Sequence, residues 1–214
     1  MNRRRPRVVI ADDHAIVVDG LRGLLDPEFD VVAAVGDGRA LLEAVDSHKP
    51  DLVVVDISMP LLNGLDAAHR ITNKHPGARV VMLTQHADAE FATEALRRGA
   101  TAYLLKECAA EELIAAMKDA LAGRTYITPR IAGGVLRSLM QGDGPTGAEG
   151  RLTARQREVL QLVAEGKSIK QIARILEVSP KTVEYHKYNI MKRLELRTTA
   201  DLTKYAIRHG LIAG

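Results

Sequence analysis

Polar side chains that could do chemistry stand at the ends of short aliphatic runs in the first half of the chain. Asp12 and Asp13 follow the run VVIA, and Asp56 ends the run LVVVD. Further along, Thr84 ends VVMLT and Lys106 follows AYLL. Such runs, without polar alternation, are typical of fully buried parallel strands. Because open α/β sheets place their sites at the carboxyl ends of their strands, we expect these side chains to share one site.

The three aspartates of this site would repel one another and need a cation to remain ionised. A set of oxygen ligands of this kind suits Mg²⁺. An aspartate beside bound Mg²⁺ can attack phosphorus and form an acyl phosphate, whose oxygens the Lys106 ammonium and the Thr84 hydroxyl are placed to hold. The neighbouring His14 is expected at the surface rather than on the metal, since Mg²⁺ avoids imidazole.

The stretches between the aliphatic runs have the spacing of amphipathic helices. Helical patterns at 16–25, 40–47, 64–74, 90–98 and 111–122 alternate with strand-like runs at 8–11, 31–35, 52–56, 80–84 and 102–105. This repeat predicts a flavodoxin-like, doubly wound α/β domain over residues 1–125, with five parallel strands in the order 2-1-3-4-5. In that order the first and third strands are neighbours, which brings Asp12, Asp13 and Asp56 together.

From residue 126 onward the alternation of strands and helices stops. Residues 126–150 end in QGDGPTGAEG, which predicts a flexible linker with a helical beginning near 131–139. Residues 151–214 then show no strand pattern but four helical segments, at 153–165, 168–176, 179–194 and 199–209. We therefore predict an all-α domain of four helices after the linker.

Net charge differs between the two parts of the chain. Residues 1–150 hold 17 Lys and Arg against 21 Asp and Glu, whereas residues 151–214 hold 13 against 6. An acidic domain followed by a basic one indicates different partners, and a polyanion such as nucleic acid suits the second.

Composition also limits the compartment in which the protein works. No apolar run approaches the roughly 20 residues that cross a bilayer, and the basic start is not followed by the apolar segment of a signal peptide. The single cysteine, Cys108, excludes an intramolecular disulfide. We expect a cytoplasmic protein with no membrane partner.

Helix-capping residues divide the basic tail. Gly166 ends its first helix, Ser168 and Gln171 form a capping box for the second, and Ser179 followed by Pro180 starts the third. Two short helices separated by so short a turn predict a helix-turn-helix.

The third tail helix separates an apolar face from a polar one. Apolar residues recur at helical spacing on one side, namely Val183, Ile190, Met191 and Leu194. The opposite side carries Lys181, Glu184, Tyr185, Tyr188 and Lys192. A recognition helix presents such a polar face to the major groove of DNA.

With these motifs in place, residues 6–125 resemble the receiver domain of bacterial response regulators. The resemblance rests on RVVIADDH, LVVVDISMPLLNG, VVMLT and AYLLK. It implies that Asp56 accepts a phosphoryl group from a sensor histidine kinase. It further implies that Asp13, Asp56 and the backbone carbonyl of Ser58 hold Mg²⁺, while Asp12 assists through water.

The same resemblance identifies two switch residues and one departure. Thr84 and Tyr103 occupy the positions whose hydroxyl and ring move once the phosphoryl group arrives. Glu107 stands where many receivers have proline after the lysine.

Residues 151–212 resemble the LuxR-type helix-turn-helix, so the whole chain is similar to two-component response regulators of the NarL/FixJ type. The resemblance implies that residues 181–188, from Lys181 onward, lie in the major groove. Our candidates for phosphate contacts are Thr182, Lys187 and Lys192, and those for base edges are Glu184, Tyr185 and Tyr188. Glu184 departs from the basic residue found in many relatives, and a carboxylate can accept a hydrogen bond from cytosine N4.

The implied partners are a sensor histidine kinase, promoter DNA bound as a homodimer, and RNA polymerase. Sequence alone does not divide the residues of the last helix between the domain core and the dimer contact. The implied protein is a regulator and not an enzyme.

Two other functions share some of these features. A phosphatase of the haloacid-dehalogenase type also uses an aspartate nucleophile and Mg²⁺, but it needs a second aspartate where this chain has Ser58. A DNA-binding protein whose receiver no longer accepts phosphate is the other alternative, and the complete set of receiver residues argues against it.

Overall fold

The computed structural model describes residues 4–140 and 152–212, which form two compact units. The Gly-rich segment predicted as a flexible linker, residues 141–150, lies outside the described residues.

The N-terminal unit alternates strands with helices along the chain. Its elements are β1 (Arg7–Ala11), α1 (Ala15–Leu25), β2 (Asp30–Val35), α2 (Gly38–His48), β3 (Leu52–Val55), α3 (Gly64–Lys74), β4 (Arg79–Thr84), α4 (Ala89–Arg97), β5 (Ala102–Leu105), α5 (Ala110–Leu121), β6 (Tyr126–Ile127) and α6 (Pro129–Met140).

All strands of this unit pair in parallel, in the order β2-β1-β3-β4-β5-β6. The predicted doubly wound α/β fold and the order of its first five strands are confirmed, but the sheet has one strand more than predicted. The additional β6 is two residues long, which is too short to show a period in the sequence. Residues 126–140, predicted as linker, thus contain β6 and α6.

Helices cover both faces of the sheet, which explains why the aliphatic runs lack alternation. On one face, Val8, Ile10 and Val54 join a core with α1 and α5. The intervening residues Val9 and Val53 point to the opposite face and are also fully buried. Every position of these strands is therefore apolar, and the polar residues are confined to the strand ends.

The C-terminal unit is all-α, as predicted. It consists of α7 (Ala154–Ala164), α8 (Ile169–Ile175), α9 (Pro180–Leu194) and α10 (Thr199–Arg208). Every one of these helices starts at a hydroxyl residue whose side chain accepts a backbone N–H of the first turn, namely Thr153, Ser168, Ser179 and Thr198. Such caps satisfy donors that the helix leaves unpaired, and each stabilises by about 1 kcal/mol.

One close backbone approach fixes the connection between β3 and α3. The Gly64 N–H donates to the Ile57 carbonyl at 2.7 Å, and a Cβ at Gly64 would lie 1.9 Å from the Asp56 carbonyl oxygen. Only glycine, which has no Cβ, allows α3 to begin directly against the backbone of Asp56.

We predict that Gly64→Ala lowers the free energy of unfolding by about 3 kcal/mol or more, because the backbone itself must move to admit the methyl group. The matched control is Gly20→Ala in α1, where a Cβ meets no atom within 4 Å. That substitution should stabilise by roughly 0.5–1 kcal/mol through helix propensity. Urea unfolding of both variants measures the difference. Equal midpoints would show that the approach at Gly64 imposes no constraint.

Candidate functional site

The carboxyl ends of β1 and β3 bring the predicted aspartates together. The Asp56 N–H donates to the Ala11 carbonyl at 2.9 Å, which continues the pairing of the two strands into their ends. Asp12 and Asp56 are buried, whereas Asp13 is exposed. Each aspartate has a carboxylate oxygen within 4.8 Å of one in the other two. The site thus concentrates negative charge at one edge of the sheet.

Lys106 supplies positive charge to this edge. Its Nζ lies 2.7 Å from Asp12 Oδ2 and 2.9 Å from Asp56 Oδ2, and the Lys106 side chain is only 9% exposed. Burial by itself lowers the pKa of Lys106, but the hydrogen bonds to Asp12 and Asp56 outweigh it, so the pKa is raised. The ammonium therefore remains charged and links the ends of three strands. Its position is fixed by the Lys106 N–H, which donates to the Thr84 carbonyl at 2.8 Å.

The two predicted switch residues, Thr84 and Tyr103, both contact the loop between β4 and α4. Both are fully buried, and the Thr84 Oγ1 lies 3.4 Å from the backbone nitrogen of His86. The Tyr103 hydroxyl donates to the His86 carbonyl at 2.8 Å. Burial raises the pKa of Tyr103 far above its ordinary value, so the phenol keeps its proton and acts as a donor.

A contact between Ser58 and His86 was not predicted from the sequence. Ser58 Oγ and His86 Nε2 lie 2.9 Å apart, and the His86 ring packs at 4.5 Å from that of Phe91. Burial lowers the pKa of His86 below its ordinary value, which favours the neutral ring. In the sequence, the one indication of this contact is that Ser58 stands two positions after Asp56 and His86 two positions after Thr84, where the strand runs end.

His14 also lies closer to the aspartates than the sequence indicated. It is exposed, as expected, but its Nδ1 is 3.1 Å from Asp12 Oδ1 and 2.9 Å from Asp13 Oδ1. Its backbone N–H donates to Asp12 Oδ1 at 2.9 Å. His14 is therefore a neighbour of the acidic site, at the start of α1.

The predicted faces of the recognition helix are separated in α9. Val183 and Ile190 are buried, and Met191 and Leu194 pack against the same core. The residues predicted on the polar face are all exposed, namely Lys181, Glu184, Tyr185, Tyr188 and Lys192. Tyr185 and Tyr188 are each 65% exposed, so both rings are accessible to a binding partner.

The remaining phosphate candidates lie near two helix N-termini. Thr182 Oγ1 is 2.9 Å from Ser179 Oγ, at the start of α9. Lys187 Nζ donates to Thr199 Oγ1 at 3.1 Å, at the start of α10. Helix N-termini favour anions, so both positions suit a DNA phosphate.

Within the described residues, no helix has the length and apolar character needed to span a membrane.

Comparison with known proteins assigns both parts of the chain. The response regulator receiver domain family matches residues 8–118, and the family of bacterial regulatory proteins, luxR family, matches residues 150–206. The transcriptional regulatory protein MctR of Rhizobium johnstonii is 35% identical over 213 residues, with 99% of this chain and 97% of MctR covered. The oxygen regulatory protein NreC of Staphylococcus carnosus is 35% identical over 214 residues, with 96% and 99% covered.

Solved structures show the same similarity. RcsB of Salmonella typhimurium is 26% identical and has a TM-score of 0.58, with 94% of this chain and 98% of the RcsB chain covered. A LuxR-family two-component response regulator from Aurantimonas sp. is 32% identical with a TM-score of 0.60, with 64% of this chain and 99% of that chain covered. The chain therefore belongs to the two-component response regulators of the NarL/FixJ type, which join a receiver domain to a LuxR-type helix-turn-helix.

Proposed function

We propose that a sensor histidine kinase phosphorylates Asp56, and that this phosphorylation controls the binding of α9 to promoter DNA. The observation that best supports the proposal is the buried contact of Asp56 with the Lys106 ammonium, beside Asp12 and Thr84. We propose residues 1–125 as the phosphoacceptor domain, which β6 and α6 extend within the N-terminal unit, and residues 151–214 as the DNA-binding domain.

Asp56 is held through both of its carboxylate oxygens. Oδ1 accepts the Ile57 N–H at 2.7 Å, and Oδ2 accepts from Lys106 at 2.9 Å. A carboxylate fixed in this way loses little freedom when it attacks. An oxygen of Asp56 then bonds to phosphorus as the bond between phosphorus and the kinase histidine nitrogen breaks. Lys106 and the Thr84 hydroxyl stabilise the charge on the transferred group.

The donor set fits Mg²⁺, which receiver domains generally bind at an acidic pocket. Carboxylate oxygens are the ligands that this hard cation prefers. We propose that Asp13, Asp56 and the Ser58 carbonyl hold the ion directly and that Asp12 assists through water. When bound, Mg²⁺ supplies positive charge to the phosphoryl oxygens.

A phosphatase of the haloacid-dehalogenase type has less support. The position where such an enzyme has its acid is occupied by Ser58, whose hydroxyl is engaged with the His86 ring. A serine hydroxyl cannot act as a general acid near neutral pH, so hydrolysis would lack its proton donor.

For DNA, we propose that the exposed face of α9 enters the major groove. Glu184, Tyr185 and Tyr188 contact base edges, while Thr182, Lys187 and Lys192 contact phosphates and Lys181 lies in the groove. A solved relative described as two RcsB dimers bound to two parallel DNAs, 25% identical, supports binding as a homodimer. We further propose RNA polymerase as a partner and the cytoplasm as the compartment, since promoters and the transcription machinery are there.

We predict that acetyl phosphate and Mg²⁺ add one phosphoryl group to the protein and that Asp56→Asn abolishes the addition, because the amide is a poor nucleophile. Intact-mass spectrometry measures the label. Asp51→Asn, at an exposed aspartate before β3, serves as the control and should label like the wild type. Equal labelling of Asp56→Asn and the wild type would rule out the site.

We predict that Mg²⁺ raises the melting temperature of Lys106→Met more than that of the wild type. Without its ammonium the acidic site loses a buried charge partner, which costs about 3–5 kcal/mol, and a bound cation then restores the balance. Lys118→Met, at an exposed lysine beside Glu28, is the control and should respond like the wild type. Identical Mg²⁺ increments in all three proteins would contradict the proposed charge balance.

We predict that Lys187→Ala weakens binding to all DNA sequences about equally, because a phosphate contact carries no sequence information. Glu184→Ala should instead change the preference at one base pair, by roughly 1–3 kcal/mol. Selection from a randomised duplex library with the phosphorylated full-length protein measures both, with Lys118→Ala as a control for net charge. The division of α9 into two kinds of contact fails if Glu184→Ala and Lys187→Ala give the same profile.

A further inference from the structure

The receiver sheet continues into a segment that the predicted function does not use. This segment, residues 126–140, comprises β6 and α6, and we call it the strap. Within the N-terminal unit we describe three of its contacts: with β5 beside Tyr103, with the loop that carries Lys106, and with the first turn of α4.

The first contact attaches the base of the strap to β5. The Thr128 N–H donates to the Tyr103 carbonyl at 3.0 Å, and Thr128 Oγ1 accepts the Leu105 N–H at 3.4 Å. The Tyr126 hydroxyl donates to Glu112 of α5 at 3.0 Å. The strap therefore begins on the backbone of the switch tyrosine itself.

The second contact joins α6 to the loop that carries Lys106. Arg130, in the first turn of α6, forms an ion pair with Glu107, the residue at which this chain departs from the common proline. Arg130 also lines a cavity of about 410 Å³ with Thr84, Gln85, Leu105, Lys106 and Glu107. Both charged side chains are mostly exposed, so the pair contributes little stability but places α6 at the same cavity as Thr84 and Lys106.

The third contact seats α6 on the first turn of α4. Ile131 and Val135 are buried, and a Cβ at Gly134 would lie 2.7 Å from the Cβ of Ala89, the first residue of α4. Asp88 makes no side-chain cap for that turn, and the bond from the Ala92 N–H to the Asp88 carbonyl is long, at 3.4 Å. The Thr93 hydroxyl does bond the Ala89 carbonyl at 2.7 Å, so the turn is held by Thr93 and not by its cap. Close packing of α6 on Ala89 makes the contact sensitive to small displacements of this turn.

We propose that the strap is a restraint released by phosphorylation, seated on α4 in the unphosphorylated protein and displaced from it when Asp56 is phosphorylated. Moving Thr84 towards the phosphoryl group shifts the loop that leads into α4, and at Gly134 the space between α6 and Ala89 is too small for even a methyl group, so α6 packs closely on the turn that shifts. Because β6 stays paired to β5, α6 loses its seat while its base remains attached. The connection to the DNA-binding unit then gains the 12 residues of α6. This inference rests on the proposed role of Asp56.

Two adjacent glycines give a matched test in the full-length protein. Gly134→Ala places a methyl group against Ala89, whereas Gly133→Ala adds the same methyl group where nothing lies within 4 Å. Both changes raise the helix propensity of α6 equally, so any difference in hydrogen exchange between the two variants reports the contact with Ala89 and not the stability of the helix itself. We expect amide hydrogen exchange in α6 and the first turn of α4 to be about tenfold faster in unphosphorylated Gly134→Ala than in Gly133→Ala.

Phosphorylation of the wild type with acetyl phosphate should accelerate the same amides, and unphosphorylated Gly134→Ala should bind DNA at a level closer to that of the phosphorylated wild type. Thermal unfolding of both variants checks that the receiver remains folded. Identical hydrogen exchange in the two glycine variants would contradict the proposal that the strap is a restraint on α4. A label on Asp56 with unchanged exchange in α6 would also overturn the strap while leaving the proposed function intact. Absence of the label would overturn both.

Discussion

A buried charge balance organises the receiver. One ammonium, that of Lys106, lies within hydrogen-bond distance of Asp12 at the end of β1 and Asp56 after β3, while its backbone pairs with β4. Burying a charge is costly unless it is paired, so the ends of these strands must stay together for the pair to form. The same requirement makes the site responsive, since any added cation or phosphoryl group changes the balance that Lys106 maintains.

Under the proposed function, the response would reach the rest of the unit through a small set of contacts on the β4–α4 loop. His86 accepts from the Tyr103 hydroxyl through its carbonyl and pairs with Ser58 through its ring. The β4–α4 loop is therefore bonded both to Ser58, which follows β3, and to Tyr103 of β5. A movement of the Thr84 side chain would act on a loop that these two contacts restrain. Networks of this kind have few alternative arrangements that satisfy every partner, which favours two discrete states over a graded one.

The sequence predicted the parts of the structure that depend on local pattern. Strands buried on both faces show unbroken aliphatic runs, and Ser168 with Gln171 identified the start of α8 by its capping box. The missed features depend on partners distant in the chain. The helical pattern near 131–139 did not indicate that Gly134 would pack closely on α4, because that contact depends on Ala89, far away in the chain. The pairing of Ser58 with His86 likewise needs two loops whose approach no local pattern encodes.

The caps of the C-terminal unit carry a consequence for how such proteins diversify. With a hydroxyl cap at every helix and a core of its own, the unit has a surface that is formed before any signal arrives. Under the proposed function, regulation then changes the access or local concentration of that surface and not its shape. Substitutions on the exposed side of α9 lie far from the core contacts, so their effects on stability should be small and additive. Lineages can therefore acquire new target genes while the phosphorylation chemistry stays unaltered.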